Sequence, residues 1–168
     1  MHFPRIILLT ALGARLFVPP LAATIDRNLD GVSDIWATAH PEAGAPAADA
    51  DGDGAATLAE SLAGTDPLSA TSHFAATTTT DAAHNIVLRW AMVTGKHYTV
   101  EASADLRTWL EFPCTQIPAD GALAAIVRPV GSSAGTARFW RVAASDQDTD
   151  SDGLNGWEEA QFGTDPTT

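Results

Sequence analysis

The chain holds one cysteine, Cys114, among 168 residues. No intrachain disulfide can form. With no histidine or basic helix start beside it, the thiol reads as a packing residue rather than a nucleophile. Bases are scarce as well: nine Lys and Arg stand against 21 Asp and Glu, for a formal net charge of −12. Nucleic-acid phosphates and anionic membrane surfaces both need cationic patches, so neither is an expected partner. Long apolar runs are missing too. The longest lies near the N-terminus and is too short for a membrane span, so none is expected in the mature chain. The five histidines (His2, His40, His73, His84, His97) show no metal-ligand spacing and pair with no visible nucleophile. One G-x-S-x-G match exists, Gly131 to Gly135 around Ser133, but a strand-like Thr-Ala-Arg-Phe-Trp-Arg-Val follows it. A nucleophile elbow needs a helix there, so Ser133 reads as a hairpin-loop residue and no enzyme is expected.

What is present falls into four blocks. Residues 1–23 carry a base at Arg5, an apolar stretch, and small residues at Leu21-Ala22-Ala23. That is the pattern of a secretory signal peptide, with Arg15 leaving cleavage near Ala14 as a second option. The expected location is therefore secreted or cell-surface. Residues 24–70 are Asp-rich and contain the linker-like HPEAGAPAA. Residues 71–145 change character: between Ser72 and Ser145 stand five acids and six bases, and the other 16 acids lie outside. Residues 146–168 return to the Asp-rich composition. Carboxylates this concentrated repel one another, so the flanks need a cation or abundant water.

The middle block alternates with period two. Ile86, Leu88 and Trp90 share one face with Val87 and Arg89 opposite; Tyr98, Val100 and Ala102 share another; Trp140 and Val142 a third. Turn signals at Thr94-Gly95, Ala104-Asp105, Asp120-Gly121 and Gly131 to Gly135 separate these runs. The reading is mainly β: half a dozen short antiparallel strands forming a small β-sandwich.

The flanks repeat one another. Residues 49–67 read DADGDGAATLAESLAGTDP and residues 148–166 read DTDSDGLNGWEEAQFGTDP. Nine of 19 positions agree, and they are Asp, Asp, Asp, Gly, Glu, Gly, Thr, Asp and Pro. A twelve-residue calcium loop takes side chains at positions 1, 3 and 5, a backbone carbonyl at 7 and a bidentate Glu at 12, with Gly at 6 for the turn. Asp49, Asp51, Asp53, Gly54, Ala55 and Glu60 fill those positions, and so do Asp148, Asp150, Asp152, Gly153, Leu154 and Glu159. Thr57 and Gly156 fall at position 9, where a water often completes the shell. An earlier copy offers Asp26, Asn28, Asp30, Gly31 and Val32 at positions 1, 3, 5, 6 and 7, and Asp34 at 9. Its position 12 is Ala37. Either Asp34 coordinates directly, or a carboxylate comes from elsewhere, or that loop is weak. After loops two and three there is room for short helices, Leu58 to Ala63 and Trp157 to Phe162. Gly64 and Gly163 sit where a left-handed cap would end each one, and Pro67 and Pro166 stop it. Asp66 and Asp165 either cap that turn or add a ligand.

The pattern Asp-x-Asp-x-Asp-Gly-x5-Glu-x3-Gly-Thr-Asp-Pro resembles the bacterial thrombospondin type 3-like calcium repeat. The resemblance covers 49–67 and 148–166 well and 26–37 in part. It implies calcium-dependent ordering of linkers in exported or surface proteins, with no catalysis. VLRWAMVTGKHYTVEASADLRTW and ARFWRVAA are similar to a reduced fibronectin type III-like module over roughly 72–144, although Trp140 stands where such modules often carry Tyr and no final strand is evident after Ala144. The expected molecule is an exported, calcium-binding structural or adhesion module. Its β-sandwich would be flanked by EF-hand-like loop–short-helix repeats, one entering and one leaving, with other surface proteins or glycans as partners. A carbohydrate-binding or dockerin-like accessory module is the alternative, with Trp36, Trp109 and Trp157 as a sugar platform; packing is the preferred role for those three rings. The chain ends two residues after the second Gly-Thr-Asp-Pro, which reads as a piece of a longer repeat architecture.

Overall fold

A computed structural model of the chain describes residues 25–114, 116–119, 122–128 and 139–168. The leader at 1–23 and the Gly131 to Gly135 loop lie outside the described residues. Along the described chain run α1 (Asp34–Ala39), α2 (Thr57–Ala63), β1 (Ala76–Thr80), β2 (Ile86–Ala91), β3 (Lys96–Ser103), β4 (Leu110–Glu111), β5 (Gln116–Ala119), β6 (Ala122–Arg128), β7 (Phe139–Asp146) and α3 (Gly156–Phe162). The strands form a four-stranded sheet, order β1-β2-β6-β5, and a three-stranded sheet, order β4-β3-β7. The pairs β1–β2, β2–β6, β5–β6 and β3–β4 are antiparallel. The described residues thus form a small β-rich fold with three short helices. It divides into two compact units: a strand unit of 75–92 and 98–143, and a loop unit of 25–74, 93–97 and 144–168.

In the strand unit the alternation read from sequence puts Leu88 and Trp90 of β2, Tyr98 and Val100 of β3 and Trp140 of β7 inside. The Trp90 and Tyr98 rings, one from each sheet, lie 6.1 Å apart between centroids. One departure stands out. Val87 is buried as well as Leu88, although β2 keeps an unbroken register with β1 and the register shift against β6 puts the extra residue on β6. At the edge, Arg141 pairs with Glu101 at 2.5 Å and lies 4.4 Å over the Trp109 ring.

The loop unit is built from three copies of one backbone device, each followed at once by a helix. Val32, Trp36, Ala43 and Trp157 form its buried core, with Ile35, Leu58 and Val93 packed against them. Ile35, Leu58 and Trp157 occupy the same place in the three copies, the residue after the first helical one. Trp36 and Trp157 are therefore core residues rather than an exposed platform. The linker-like stretch also belongs to this unit. Ala43 is 1% exposed, the Ala48 carbonyl accepts from the Thr57 N–H, and the Pro46 carbonyl accepts from the Leu58 N–H. The Thr57 hydroxyl donates to the Ala43 carbonyl at 2.7 Å. These bonds satisfy amides that α2 leaves unpaired at its start, where Ala56 offers no side-chain cap.

Candidate metal centres

Each loop is shaped by its own carboxylates. In loop two the Asp49 carboxylate accepts from the Gly52 and Gly54 N–H groups at 2.8 and 3.0 Å. Asp51 accepts from the Asp53 N–H and Asp53 from the Ala55 N–H. Loop three repeats this: Asp148 accepts from Ser151 and Gly153, Asp150 from Asp152, and Asp152 from Leu154. Loop one follows with Asp26 accepting from Asp30 and Gly31, Asn28 from Asp30, and Asp30 from Val32. Position 6 is a left-handed glycine in all three, Gly31 at φ 90°, Gly54 at 95° and Gly153 at 103°. Position 4 is left-handed as well, at Leu29, Gly52 and Ser151. The loops close identically: the N–H of position 9 donates to the carbonyl of the residue preceding position 1, Asp34 to Ile25, Thr57 to Ala48 and Gly156 to Gln147.

The helices follow from that closure. Ser33 and Asn155, at position 8, cap α1 and α3 with their side chains, whereas Ala56 cannot. α2 and α3 begin one residue earlier than the sequence places them. They end at Gly64 and Gly163, both left-handed at φ 73° and 70°. α1 was not foreseen, because no glycine closes it; its C-cap is His40, which stacks on Trp36 at 4.4 Å. Asp66 accepts from the Leu68 N–H, and Asp165 from the Thr167 N–H and hydroxyl. Both act as turn caps.

The loops part company over the remaining oxygens. Asp49, Asp51 and Asp53 each bring one carboxylate oxygen to within 4.8 Å of the others, and Asp148, Asp150 and Asp152 do the same. These two triplets could hold a metal ion. Their inner oxygens are unsatisfied: Asp51 Oδ2, Asp53 Oδ2 and both Glu60 oxygens in loop two, and Asp150 Oδ2 and both Glu159 oxygens in loop three, are buried without a well-formed hydrogen bond, the Thr65 side chain near Glu60 giving only weak relief. Every such orphaned carboxylate oxygen among the described residues lies in these two loops. A buried, unpartnered carboxylate is costly, so native structures pair it or give it a metal. Burial first, then Asp51, Asp53 and Asp49, pushes the Glu60 carboxyl up to about 7. Burial and Asp150, Asp152 and Asp148 raise Glu159 in the same way. A dication would reverse both effects.

The adjacent residue makes the contrast plain. Glu158 is 0% exposed like Glu159, yet both its oxygens are used. One accepts from the Asn155 N–H at 2.9 Å in a reciprocal capping box, and the other from the Ser33 hydroxyl. It is a structural carboxylate that ties α3 to the start of α1.

Loop one has none of these orphans. The Asn28 amide donates to Asp30 Oδ2 at 3.0 Å, and Asp34 Oδ2 accepts from the Arg27 N–H. Asp26, Asp30 and Asp34 form no metal-ready group among the described residues. Ala37 is exposed and offers no oxygen at position 12. Elsewhere, Cys114 is half-buried, and burial with the nearby Glu111 raises its thiol pKa, away from nucleophilic use. No helix among the described residues is long and apolar enough to cross a membrane. No family model, no curated protein and no solved structure matches the chain.

Proposed function

We propose that this chain is a non-enzymatic, calcium-binding structural or adhesion module of an exported protein. Calcium in loops two and three orders the loop unit. The observation that carries the reading is the set of seven buried carboxylate oxygens without partners, all in two loops of identical spacing. The donors are all oxygen, mostly charged, and close enough for one hard ion, which favours calcium over zinc or copper. Asp49, Asp51, Asp53, Glu60 and the Ala55 carbonyl would hold one ion; Asp148, Asp150, Asp152, Glu159 and the Leu154 carbonyl the other. When bound, calcium supplies charge neutralisation. The chain itself supplies preformed turns and two short helices that carry the closing glutamates.

The left-handed caps at Gly64 and Gly163 and the turn-capping Asp66 and Asp165 give the Gly-Thr-Asp-Pro ending a mechanical role, and support kinship with thrombospondin type 3-like repeats. Strand order supports a fibronectin type III-like sandwich. The orders β1-β2-β6-β5 and β4-β3-β7 correspond to A-B-E-D and C′-C-F of immunoglobulin-like folds, without the last strand.

Calorimetric titration with calcium tests the reading. Two ions per chain are expected, and chelator should lower the melting temperature on the order of 10 °C, as two sites filled well above their Kd would require. No binding heat together with a melting temperature indifferent to chelator rejects it.

A further inference from the structure

We infer that Lys96 is a positioning residue that couples loop two to loop three, so that the two ions bind cooperatively; this rests on the calcium reading above. The sequence shows only a lysine after a Thr-Gly turn. In the structure its side chain is 1% exposed. The ammonium donates to the Ser61 carbonyl at 2.6 Å and to Asp146 Oδ1 at 2.5 Å, and stands 5.6 Å from the centre of the Trp157 ring. Ser61 directly follows Glu60, the closing ligand of loop two. Asp146 stands two residues before Asp148, the opening ligand of loop three. Trp157 stands two residues before Glu159, the closing ligand of loop three. One buried cation thus grips the frame of both loops.

The grip is close on every side. A Cβ on Gly64, the cap of α2, would lie 3.2 Å from Lys96 Cε. A Cβ on Gly95 would lie 2.1 Å from the backbone of Gly156, at the start of α3. The turn that delivers Lys96 is therefore pressed against the third loop's helix by backbone contact. Without metal, the crowded carboxylates of each loop loosen its frame. An ion in one loop fixes Glu60 or Asp148, and through Ser61, Lys96 and Asp146 that fixes the other frame in advance. The second ion then meets a loop already ordered, which is positive coupling.

The test compares calcium affinities in four full-length proteins. These are the native chain, Glu159→Gln, Lys96→Met, and the two changes combined, each titrated with calcium by calorimetry. Blocking loop three with Glu159→Gln should weaken loop two about tenfold in the native background, a typical coupling factor. In the Lys96→Met background the same block should weaken loop two less than about twofold. Reciprocity requires Glu60→Gln to weaken loop three by the same factor. A Lys96→Met chain leaves Asp146 buried without its cation, so Lys96→Met with Asp146→Asn serves if the single variant does not fold. Two ions bound with independent affinities in the native chain overturn the coupling and leave the calcium reading standing. Coupling that survives unchanged without Lys96 assigns it elsewhere and overturns the role of this residue. Absence of calcium binding at either loop overturns both.

Discussion

Loop one and loop two have the same backbone and different fates. Both are shaped by turns in which Asp or Asn accepts from main-chain amides, both are left-handed at positions 4 and 6, and both close onto the residue before position 1. Loop one is exposed from Arg27 to Gly31, and the Asn28 amide on Asp30 and the Arg27 amide on Asp34 meet part of its polar demand internally. Loop two is left with four buried oxygens that make no well-formed hydrogen bond among the described residues. The turn geometry is thus what Asp and Gly do at this spacing with or without an ion. The case for an ion rests on the leftover oxygens, four of which belong to the glutamates at position 12.

The largest expected effect strikes those glutamates. Glu60→Gln and Glu159→Gln should each abolish one of two bound ions and remove more than half of the thermal stabilisation that calcium gives, because the remaining loop also weakens. Calorimetry gives the count and a melt gives the loss. A native chain that binds three ions would break the comparison from the other side. Ala37→Glu should then erase the difference. Position 37 is exposed, so the new side chain meets no steric bar, and stoichiometry should rise from two to three. Next comes the neighbour of Glu159: Glu158→Gln should cost about 1–3 kcal/mol by weakening the Ser33 and Asn155 bonds, while the ion count stays at two. A loss of an ion there would mean that Glu158 had been misassigned.

The smallest effect is a proton. In the metal-free protein Glu60 is raised from 4.5 to about 7, so the folded state holds a proton that the unfolded state has released. That contribution to stability is full below about pH 4.5 and disappears as pH rises through about 7. Calcium competes for the same oxygens. Near pH 6.5 binding to loop two should release a fraction of a proton, visible as a dependence of the binding heat on the buffer's ionisation heat. A heat independent of buffer would place Glu60 outside the site.

The two Asp triplets were legible because their spacing is short and occurs twice. The strands were legible where apolar residues alternate, as at Tyr98 and Val100, whereas the alternation places Val87 opposite Leu88 and both are buried. α1 escaped notice because Ser33 and Asp34 mark its start but no glycine marks its end. HPEAGAPAA read as a spacer on composition alone; its carbonyls turn out to cap α2. The membership of 93–97 in the loop unit carried no local signal. Nothing in the spacing of Thr94, Gly95 and Lys96 says that their partners are Ser61, Asp146 and Gly156, because a contact across 35 or 50 residues leaves no period in the chain. The buried pairing of Ser33 with Glu158, 125 residues apart, was illegible for the same reason.

The bonds from Pro46 and Ala48 to α2 make that segment a clock for proteolysis. By composition it is where a protease would be expected to nick the chain. With Ala43 buried and those carbonyls engaged, cleavage must wait until α2 lets go, so its rate reports how often the second loop opens. A protease that cuts between 40 and 48 only after calcium is withdrawn would read out, on a gel, the opening of a helix it never touches.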